Sequence, residues 1–545
     1  METIEGQIID IQNRCIFPGR IEFENGKIKH ILHQGSAPEQ FILPGFIDAH
    51  VHIESSLLTP EHFGQLVARC GTVAVVTDPH EIANVLGEEG INFMIHNAVS
   101  SPIKTFFSLP SCVPATPFDR AGAVINAADT ERLLATDHFV ALSEMMNVPG
   151  VLFEDPEVMG KINTAHVHHK PIDGHAPLLS GNNLKKYVQA GISTDHEATT
   201  LEEAREKAAL GMHIIIRNGS AAKNYEALAP LLSEAPEGLM FCTDDAHPDD
   251  LQERGHIDAI VRRAVADGYD LFNILSAACI HPVSHYNLPV GLLRIGDPAD
   301  FIVVDNLKAF HVKNTYVEGI CKYRDTNHTS YIKNDAVNVC PNRFSHDPIE
   351  KAQLAKPVTT TETVIQLIPN ELVTDIYHFT PVKPTHNLQS VPENDILKIV
   401  YVNRYENGCP QVAFIRGFGL HHGALASSIS HDSHNIIAVG TTDEDLTTAI
   451  NTLIAHHGGL VAVTSQAEVE VLPLPLAGIM SPLPADELAK KYHHICQTAL
   501  SMGTTLKAPF MTLAFMSLVV IPNIKIGEKG LFDYNTFNWL SVQNR

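Results

Sequence analysis

The stretch FILPGFIDAHVHIESSLLTP, residues 41 to 60, is an apolar run that leads into two histidines separated by a single residue. Side chains two positions apart on a strand point to the same face, so His50 and His52 project together from the end of this run. Two imidazoles on one face are the beginning of a site for a divalent metal. An isolated His-x-His is more often a pair of half-exposed strand residues, so further ligands downstream must decide between the two interpretations.

The composition is that of a large globular protein. Its 545 residues predict two or three domains, and 44% hydrophobic and 18% charged residues are ordinary values. The net charge of -24 argues against nucleic acid and an anionic membrane as partners. Nine scattered cysteines without a Cys-x-x-Cys pair favour reduced thiols. The acidic amino terminus and the short run from Leu513 to Ile521 suit neither a signal peptide nor a membrane span, so we expect a cytoplasmic protein.

Strand-like and helix-like runs alternate through the centre of the chain. This alternation predicts an α/β fold, an eight-stranded parallel β/α barrel of the TIM type. The eight strands are expected to end at His52, Thr77, Leu109, Ser143, Gly174, Asp195, Arg217 and Thr243.

Strand-rich segments flank this central block. Residues 1–42 and 288–330 are predicted to form one small, discontinuous β domain, with the barrel in residues 43–287 between them. Residues 331–365 are interpreted as a polar connector, and residues 366–545 as an additional C-terminal α/β domain.

Six residues of metal-ligand type fall at the carboxyl ends of predicted strands, where β/α barrels build their active sites. They are His50, His52, Glu144, His175, His196 and Asp244. Four imidazoles and two carboxylates can hold two divalent cations, with Glu144 between them. Two such cations lower the pKa of a shared water, and Asp244 can accept its proton. The sequence therefore predicts a hydrolase acting on an amide or an amidine-like ring carbon.

Three further residues are catalytic candidates. His80 and Glu81, after the second strand, can orient substrate or carry protons, although Glu81 also suits the first turn of a helix. His247, close to Asp244, is expected to contact the substrate or a metal ligand.

Other histidines are weaker candidates. His431 and His434, in a His-Asp-Ser-His run, can contribute to the active site from the C-terminal domain. His166, His168 and His169 fall where a helix or its exit loop is expected, so we interpret them as surface residues.

Several segments resemble the adenine deaminase family of the amidohydrolase superfamily. They are PGFIDAHVHIESSLLTP, TDPHEIANVLG, SEMMNVPGVL, DGHAPLLSG, STDHEATTLEEA and TDDAHPDDL, followed by FIRGFGLHHGALASSISHDSHNIIAVGT and LPLPLAGIMS. The resemblance covers essentially the whole chain. It implies an amidohydrolase-type barrel that converts adenine and water to hypoxanthine and ammonia in purine salvage.

The resemblance also assigns the ligands. It implies that His50, His52 and Asp244 hold one metal, that His175 and His196 hold the other, and that Glu144 bridges them. The implied ions are manganese or iron, with zinc as a further candidate. Hydroxide between them would attack C6 of adenine, with Glu81 or His80 as a candidate to protonate N1. Three nearby positions that are not ligands depart from the family pattern, Ala246, Asn218 and Ser143.

Two alternatives stay open. The first is a hydrolase of the same fold that acts on another aminopurine or on a cyclic amide. The second is a non-catalytic scaffold on the same fold, for which lost ligands are expected, and none of the six is lost. In either case we expect a homo-oligomer, a dimer or larger, from the general behaviour of such enzymes.

Overall fold

A computed structural model describes residues 1–220, 222–325, 341–357, 360–368, 371–381, 387–464 and 468–540. Residues 331–340 and 358–359 of the predicted connector lie outside this range. The chain divides into two compact units. The first comprises Met1–Pro79, Phe93–Ser111 and Asn126–Ala336, and the second comprises His80–Asn92, Cys112–Ile125 and Val337–Arg545. The predicted domain boundaries stay a prediction.

The first unit contains the strands of the amino-terminal and central parts of the chain. They are β1 Glu2–Asp10, β2 Cys15–Glu24, β3 Lys27–His33, β4 Phe41–Pro44, β5 Phe46–Val51, β6 Thr72–Thr77, β7 Lys104–Leu109, β8 Phe139–Met145, β9 Ile172–Gly174, β10 Thr194–Asp195, β11 His213–Arg217, β12 Met240–Cys242, β13 Phe301–Val304, β14 Val312–Val317 and β15 Ile320–Arg324.

Both flanks contribute to one seven-stranded sheet, in the order β15-β14-β13-β4-β1-β2-β3. Strand β4 joins the flanks, because it pairs in parallel with β1 and antiparallel with β13. Asn25 and Gly26, with φ of +52° and +76°, make the tight turn between β2 and β3 that the Asn-Gly pair predicts. Phe301 stacks on Tyr316 with ring centroids 4.6 Å apart in the core of this sheet.

The central strands are parallel and form two sheets, β5-β6-β7-β8-β9 and β10-β11-β12. Isolated parallel bridges join Ile172 to Ile192 and Val51 to Asp244. Every residue of β5 and β6 is buried, as expected for parallel strands covered on both faces. The parallel β/α prediction is confirmed, whereas closure of all eight strands into one barrel stays a prediction. Strand β8 extends to Met145, so Glu144 lies within it rather than after its predicted end.

Helices follow most of the parallel strands. Those of the first unit are Pro60–Ala68, Ala127–Leu134, Val148–Leu152, Pro156–Val167, Gly181–Gln189, Leu201–Ala209, Tyr225–Leu228, Leu231–Glu234, Pro248–Arg254, Ile257–Ala266, Leu271–Leu275 and His281–Tyr286, and Glu88–Ala98 runs across the boundary between the units. Helix Ile257–Ala266 buries Ile257, Ile260, Val261 and Ala264, the spacing of an amphipathic helix on a core. Thr200 caps helix Leu201–Ala209, because its side chain accepts from the Glu203 N–H.

The second unit contains the remaining strands. They are β16 Lys356–Pro357, β17 Glu362–Leu367, β18 Thr374–Phe379, β19 Asn387–Leu388, β20 Ile396–Val402, β21 Gln411–Arg416, β22 Ala424–Ser427, β23 Ile436–Gly440, β24 Gly459–Val463, β25 Val469–Pro473, β26 Ile524–Gly527, β27 Gly530–Asp533 and β28 Asn538–Trp539. Its helices are His80–Leu86, Asp443–Ala455, Ala485–Ser501 and Pro509–Ala514.

An eight-stranded sheet organises the second unit, in the order β18-β17-β21-β20-β23-β22-β24-β25. Helix Asp443–Ala455 buries Leu446, Ala449, Ile450 and Leu453 in the same core as residues of β20, β22 and β23. The apolar segments DILKIVYVNRY, QVAFIRGFGL and NIIAVGT contain β20, β21 and β23. Among the described residues, no helix is long and apolar enough to cross a membrane.

A glycine between β4 and β5 gives the first prediction. A Cβ at Gly45 would lie 2.1 Å from Val73 Cγ1, and Val73 is fully buried. Gly45→Ala therefore forces a shift in the core, and we expect the free energy of unfolding to fall by about 1–3 kcal/mol in denaturant titrations. Gly35→Ala is the control, because a Cβ there meets nothing within 4 Å. Equal stability of the two variants would contradict the close packing at Gly45.

A buried histidine of helix His281–Tyr286 gives a pH-dependent prediction. Burial, with the charge of His213, lowers the pKa of His285 to about 3. Between about pH 6.5 and about pH 3, His285 is protonated in the unfolded chain but neutral in the folded protein. Protonation therefore favours the unfolded chain, and the free energy of unfolding falls as the pH drops through this range. By pH 5 the loss is about 2 kcal/mol. We expect His285→Gln to reduce the difference in unfolding free energy between pH 7 and pH 5, whereas the exposed His30→Gln leaves that difference unchanged.

Candidate metal centre

The carboxyl ends of the parallel strands bring all six predicted ligands together. His50 lies in β5 and Glu144 in β8, while the other four lie in the segments that directly follow a strand. All six are buried, with exposed fractions from 1% to 9%. These polar groups lie among buried strand residues, because every residue of β5 and every residue of β8 except Val140 is buried.

Glu144 faces all four histidines. Its Oε2 lies 2.9 Å from His175 Nδ1, 3.2 Å from His196 Nε2 and 3.8 Å from His50 Nε2. Its Oε1 lies 3.4 Å from His52 Nε2. One oxygen of this carboxylate thus faces His52 and the other faces His175 and His196, an arrangement that suits a carboxylate shared between two cations.

Asp244 closes the other side of the cluster. Its Oδ1 lies 3.2 Å from His52 Nε2 and 3.5 Å from His50 Nε2. The residue has a φ of +54°, a left-handed conformation that costs energy for an aspartate and is typical of functional sites. Two backbone hydrogen bonds to β5 hold it there, because its N–H donates to His50 O and its carbonyl accepts from the His52 N–H.

Hydrogen bonds and ring stacking hold the histidines of this cluster in place. His52 Nδ1 lies 3.1 Å from the carbonyl oxygen of Asp78, so Nδ1 donates there and the Nε2 lone pair faces the carboxylates. The rings of His50 and His196 stack with their centroids 4.3 Å apart. The backbone N–H of His175 donates to the Tyr187 hydroxyl, which itself donates to Met145 O.

Opposite charges compensate for the burial of these groups. Burial alone would raise the pKa of Glu144, but the charge of His175 and contacts with His175 and His196 hold that pKa well below its usual range. Burial likewise opposes ionisation of His196, yet Glu144 and Glu197 raise its pKa to about 10. The cluster thus stabilises negative carboxylates by concentrating positive partners around them.

Two residues of this site were not among the predicted ones. Arg217, the last residue of β11, donates to Asp244 Oδ2 at 2.7 Å and pairs closely with Glu197 Oε1. Glu197 Oε1 also lies 3.3 Å from His196 Nε2. Burial opposes ionisation of Glu197, but Arg217 and His175 lower its pKa. The available signals were a cation ending an apolar strand and a carboxylate directly after a predicted ligand.

The donors fit divalent cations. The ligand atoms of His50, His196 and Asp244 lie within 4.8 Å of one another, and so do those of Glu144, His175 and His196. His196 Nε2 is buried beside Glu144, but its geometry does not make a hydrogen bond to any described residue. Imidazole nitrogens and carboxylate oxygens that converge in this way suit zinc, iron and manganese.

The remaining candidates fall in two places. His247 precedes helix Pro248–Arg254, where its Nδ1 lies 2.9 Å from Ser55 O and its N–H donates to Ser220 Oγ. Ser55 Oγ in turn donates to Asp245 Oδ1, next to Asp244. His80 and Glu81 belong to the second unit, where Glu81 contacts His431 and His434.

The histidines interpreted as surface residues are confirmed as such. His166 is exposed on helix Pro156–Val167, and His169 is exposed just beyond it, with His168 half-buried between them. His166 Nε2 contacts the carbonyl oxygen of Ala190.

Comparisons with known proteins agree with this architecture. The amidohydrolase family matches residues 41–321, and the adenine deaminase C-terminal domain matches residues 371–538. A protein of Methanosarcina mazei named adenine deaminase is 50% identical over 99% of this chain and 99% of its own length. One of Salinibacter ruber with the same name is 48% identical over 99% of this chain and 98% of its own.

The chain belongs to the adenine deaminase family. This confirms the family resemblance noted from the sequence. Within the amidohydrolase family, use of divalent metal ions accords with the buried cluster around Glu144.

In this adenine deaminase family member, Arg217 gives a prediction about stability. Arg217→Gln leaves Glu197 and Asp244 buried without their guanidinium, so we expect the free energy of unfolding of chelator-treated protein to fall by about 3–5 kcal/mol. The control is Arg205→Gln, since Arg205 and Glu234 form an exposed pair expected to contribute about 1 kcal/mol or less. Similar losses in the two variants would contradict the compensating role of Arg217.

Proposed function

We propose that this protein is an adenine deaminase that hydrolyses adenine to hypoxanthine and ammonia, a reaction of purine salvage. The observation that carries the proposal is similarity to proteins of that name over 99% of the chain, together with a complete set of six candidate ligands that includes Glu144. The similarity extends beyond the barrel, since the adenine deaminase C-terminal domain also matches.

We propose that two divalent metal ions bind at this centre, manganese or iron first and zinc as a further candidate. His50, His52 and Asp244 hold one ion, His175 and His196 hold the other, and Glu144 contacts both. Metal ions bound in such a pair lower the pKa of a water and stabilise negative charge on the substrate. The acidic carboxylates support this assignment, because their low pKa keeps them ionised for metal binding at neutral pH.

Asp244 is the proposed proton acceptor. The water oxygen adds to C6 of adenine while one of its protons moves to Asp244 and a proton is delivered to N1. The second water proton then passes to the amino nitrogen as the C6–N bond breaks, so that ammonia leaves and the C6 oxygen becomes the carbonyl of hypoxanthine. Arg217 binds Oδ2 of Asp244 at 2.7 Å, so that Oδ1 is left to face His50 and His52. Arg217 therefore acts as a positioning residue for the carboxylate that moves the proton.

Further parts of this proposal rest on the sequence. His247, and His80 with Glu81, are proposed to contact substrate or carry protons. The two parallel sheets are proposed to close into one eight-stranded barrel, which the bridges Ile172–Ile192 and Val51–Asp244 support. The active form is proposed to be a cytoplasmic homo-oligomer, a dimer or larger.

The alternatives differ in what they predict for this centre. Another aminopurine or a cyclic amide can share the same ligands, so only turnover separates them from adenine. The non-catalytic scaffold is not favoured, because all six ligands are present and converge in a buried cluster.

The test is ammonia and hypoxanthine production from adenine by protein loaded separately with manganese, ferrous iron or zinc. We expect turnover with at least one metal, and a loss of at least about 100-fold in His52→Ala and in Glu144→Gln, because each change removes a ligand. The exposed His30→Ala is the matched control and should retain full activity. Metal bound at His50, His52, His175 and His196 without turnover of adenine would reject the substrate, and full activity of Glu144→Gln with normal metal content would reject the bridging role.

A further inference from the structure

A second buried cluster of carboxylates and imidazoles lies entirely in the second unit. Glu81 lies in the first turn of helix His80–Leu86 and contacts two histidines that follow β22. His431 Nδ1 lies 2.7 Å from Glu81 Oε1, and His434 Nε2 is in close contact with Glu81 Oε2. The exposed fractions of Glu81, His431 and His434 are only 2%, 4% and 1%. Their ligand atoms all lie within 4.8 Å of one another.

A second carboxylate borders the same cluster. Asp432 Oδ1 lies 3.8 Å from both His431 Nδ1 and His80 Nε2. Its Oδ2 is buried and makes no hydrogen bond to the described residues. A buried carboxylate oxygen without a partner is costly, and a cation is the partner that would satisfy it. This oxygen is an observation independent of the three convergent ligand atoms.

The chain segment that carries the histidines is held firmly. The His431 N–H donates to Ala514 O, and the His431 ring stacks on Phe515 with centroids 4.5 Å apart. The His434 N–H donates to Ser430 O at 2.7 Å, and His434 has a left-handed φ of +50°. Such a strained, buried conformation persists only where its surroundings fix it, as they do at ligand sites.

We propose that Glu81, His431 and His434 bind one further divalent cation of the zinc type, separate from the pair held around Glu144. Two imidazoles and one glutamate are an established three-ligand set for tetrahedral zinc, which leaves a fourth position open. Asp432 lies where it can take that position directly or through a water. A divalent cation also balances the two buried carboxylates, Glu81 and Asp432.

Metal content tests this proposal in the full-length protein. Protein stripped with a chelator is dialysed against zinc, or against cobalt as a spectroscopic probe, and the bound metal is counted by mass spectrometry. We expect about three equivalents per chain in the wild type, and about two in Glu81→Gln and in His434→Gln. The exposed His456→Gln, in the same unit, is the matched control and should keep about three.

A reciprocal variant separates this cation from the proposed catalytic pair. Glu144→Gln should lose cobalt from the pair yet retain about one equivalent with its visible absorption, whereas Glu144→Gln combined with His434→Gln should lose that equivalent and its absorption as well. Circular dichroism and melting curves identify any variant that fails to fold, and Glu81→Gln, which keeps the side-chain volume, serves where His434→Gln does not fold. Two equivalents in the wild type, unchanged in Glu81→Gln, would overturn the proposal. Glu81 would then be a carboxylate held by imidazoles alone.

Discussion

The central part of the first unit depends on the burial of Glu144 among four imidazoles. An ionised carboxylate out of water is costly unless partners surround it, and here nitrogens of four histidines lie within 3.8 Å of its two oxygens. These partners come from three different strand ends, so no local segment can supply them. The strands must therefore hold their register for the carboxylate to stay ionised, which links the fold of this unit directly to its chemistry.

Backbone hydrogen bonds help to position the carboxylates of this centre. Asp244 takes its left-handed conformation because two hydrogen bonds to β5 place it against His50 and His52. Arg217 then occupies one of its oxygens, and Glu197 shares the same guanidinium. Because Arg217 engages Oδ2 of Asp244, Oδ1 is directed toward His50 and His52. Glu197 instead uses the same oxygen, Oε1, for Arg217 and for His196. The arrangement is therefore set before any metal binds, which lowers the cost of binding it.

The parallel strands and the convergence of the six candidate ligands could be predicted from the sequence because both depend on local patterns. Apolar runs of four to six residues followed by histidine or carboxylate mark strand ends, and parallel strands bring those ends to one edge. Arg217 and Glu197 were not predicted because each acts through its contact with the other, twenty residues away in the chain. No pattern in the sequence around either residue indicates that contact. The contact of Glu81 with His431 and His434 is more distant still, since about 350 positions separate them and only the folded second unit shows it.

The two clusters use the same chemistry with a different balance of charge. Around Glu144, a guanidinium already pairs with Asp244 and Glu197, so part of the negative charge is compensated by the protein itself. Around Glu81 the ion pairs of the carboxylate are with histidines, and Asp432 adds a second negative group with one oxygen unpartnered among the described residues. A divalent cation would balance both carboxylates at once, and the ligand atoms of Glu81, His431 and His434 already lie within 4.8 Å of one another. This convergence of donors around excess negative charge is the physical reason to expect a metal at Glu81.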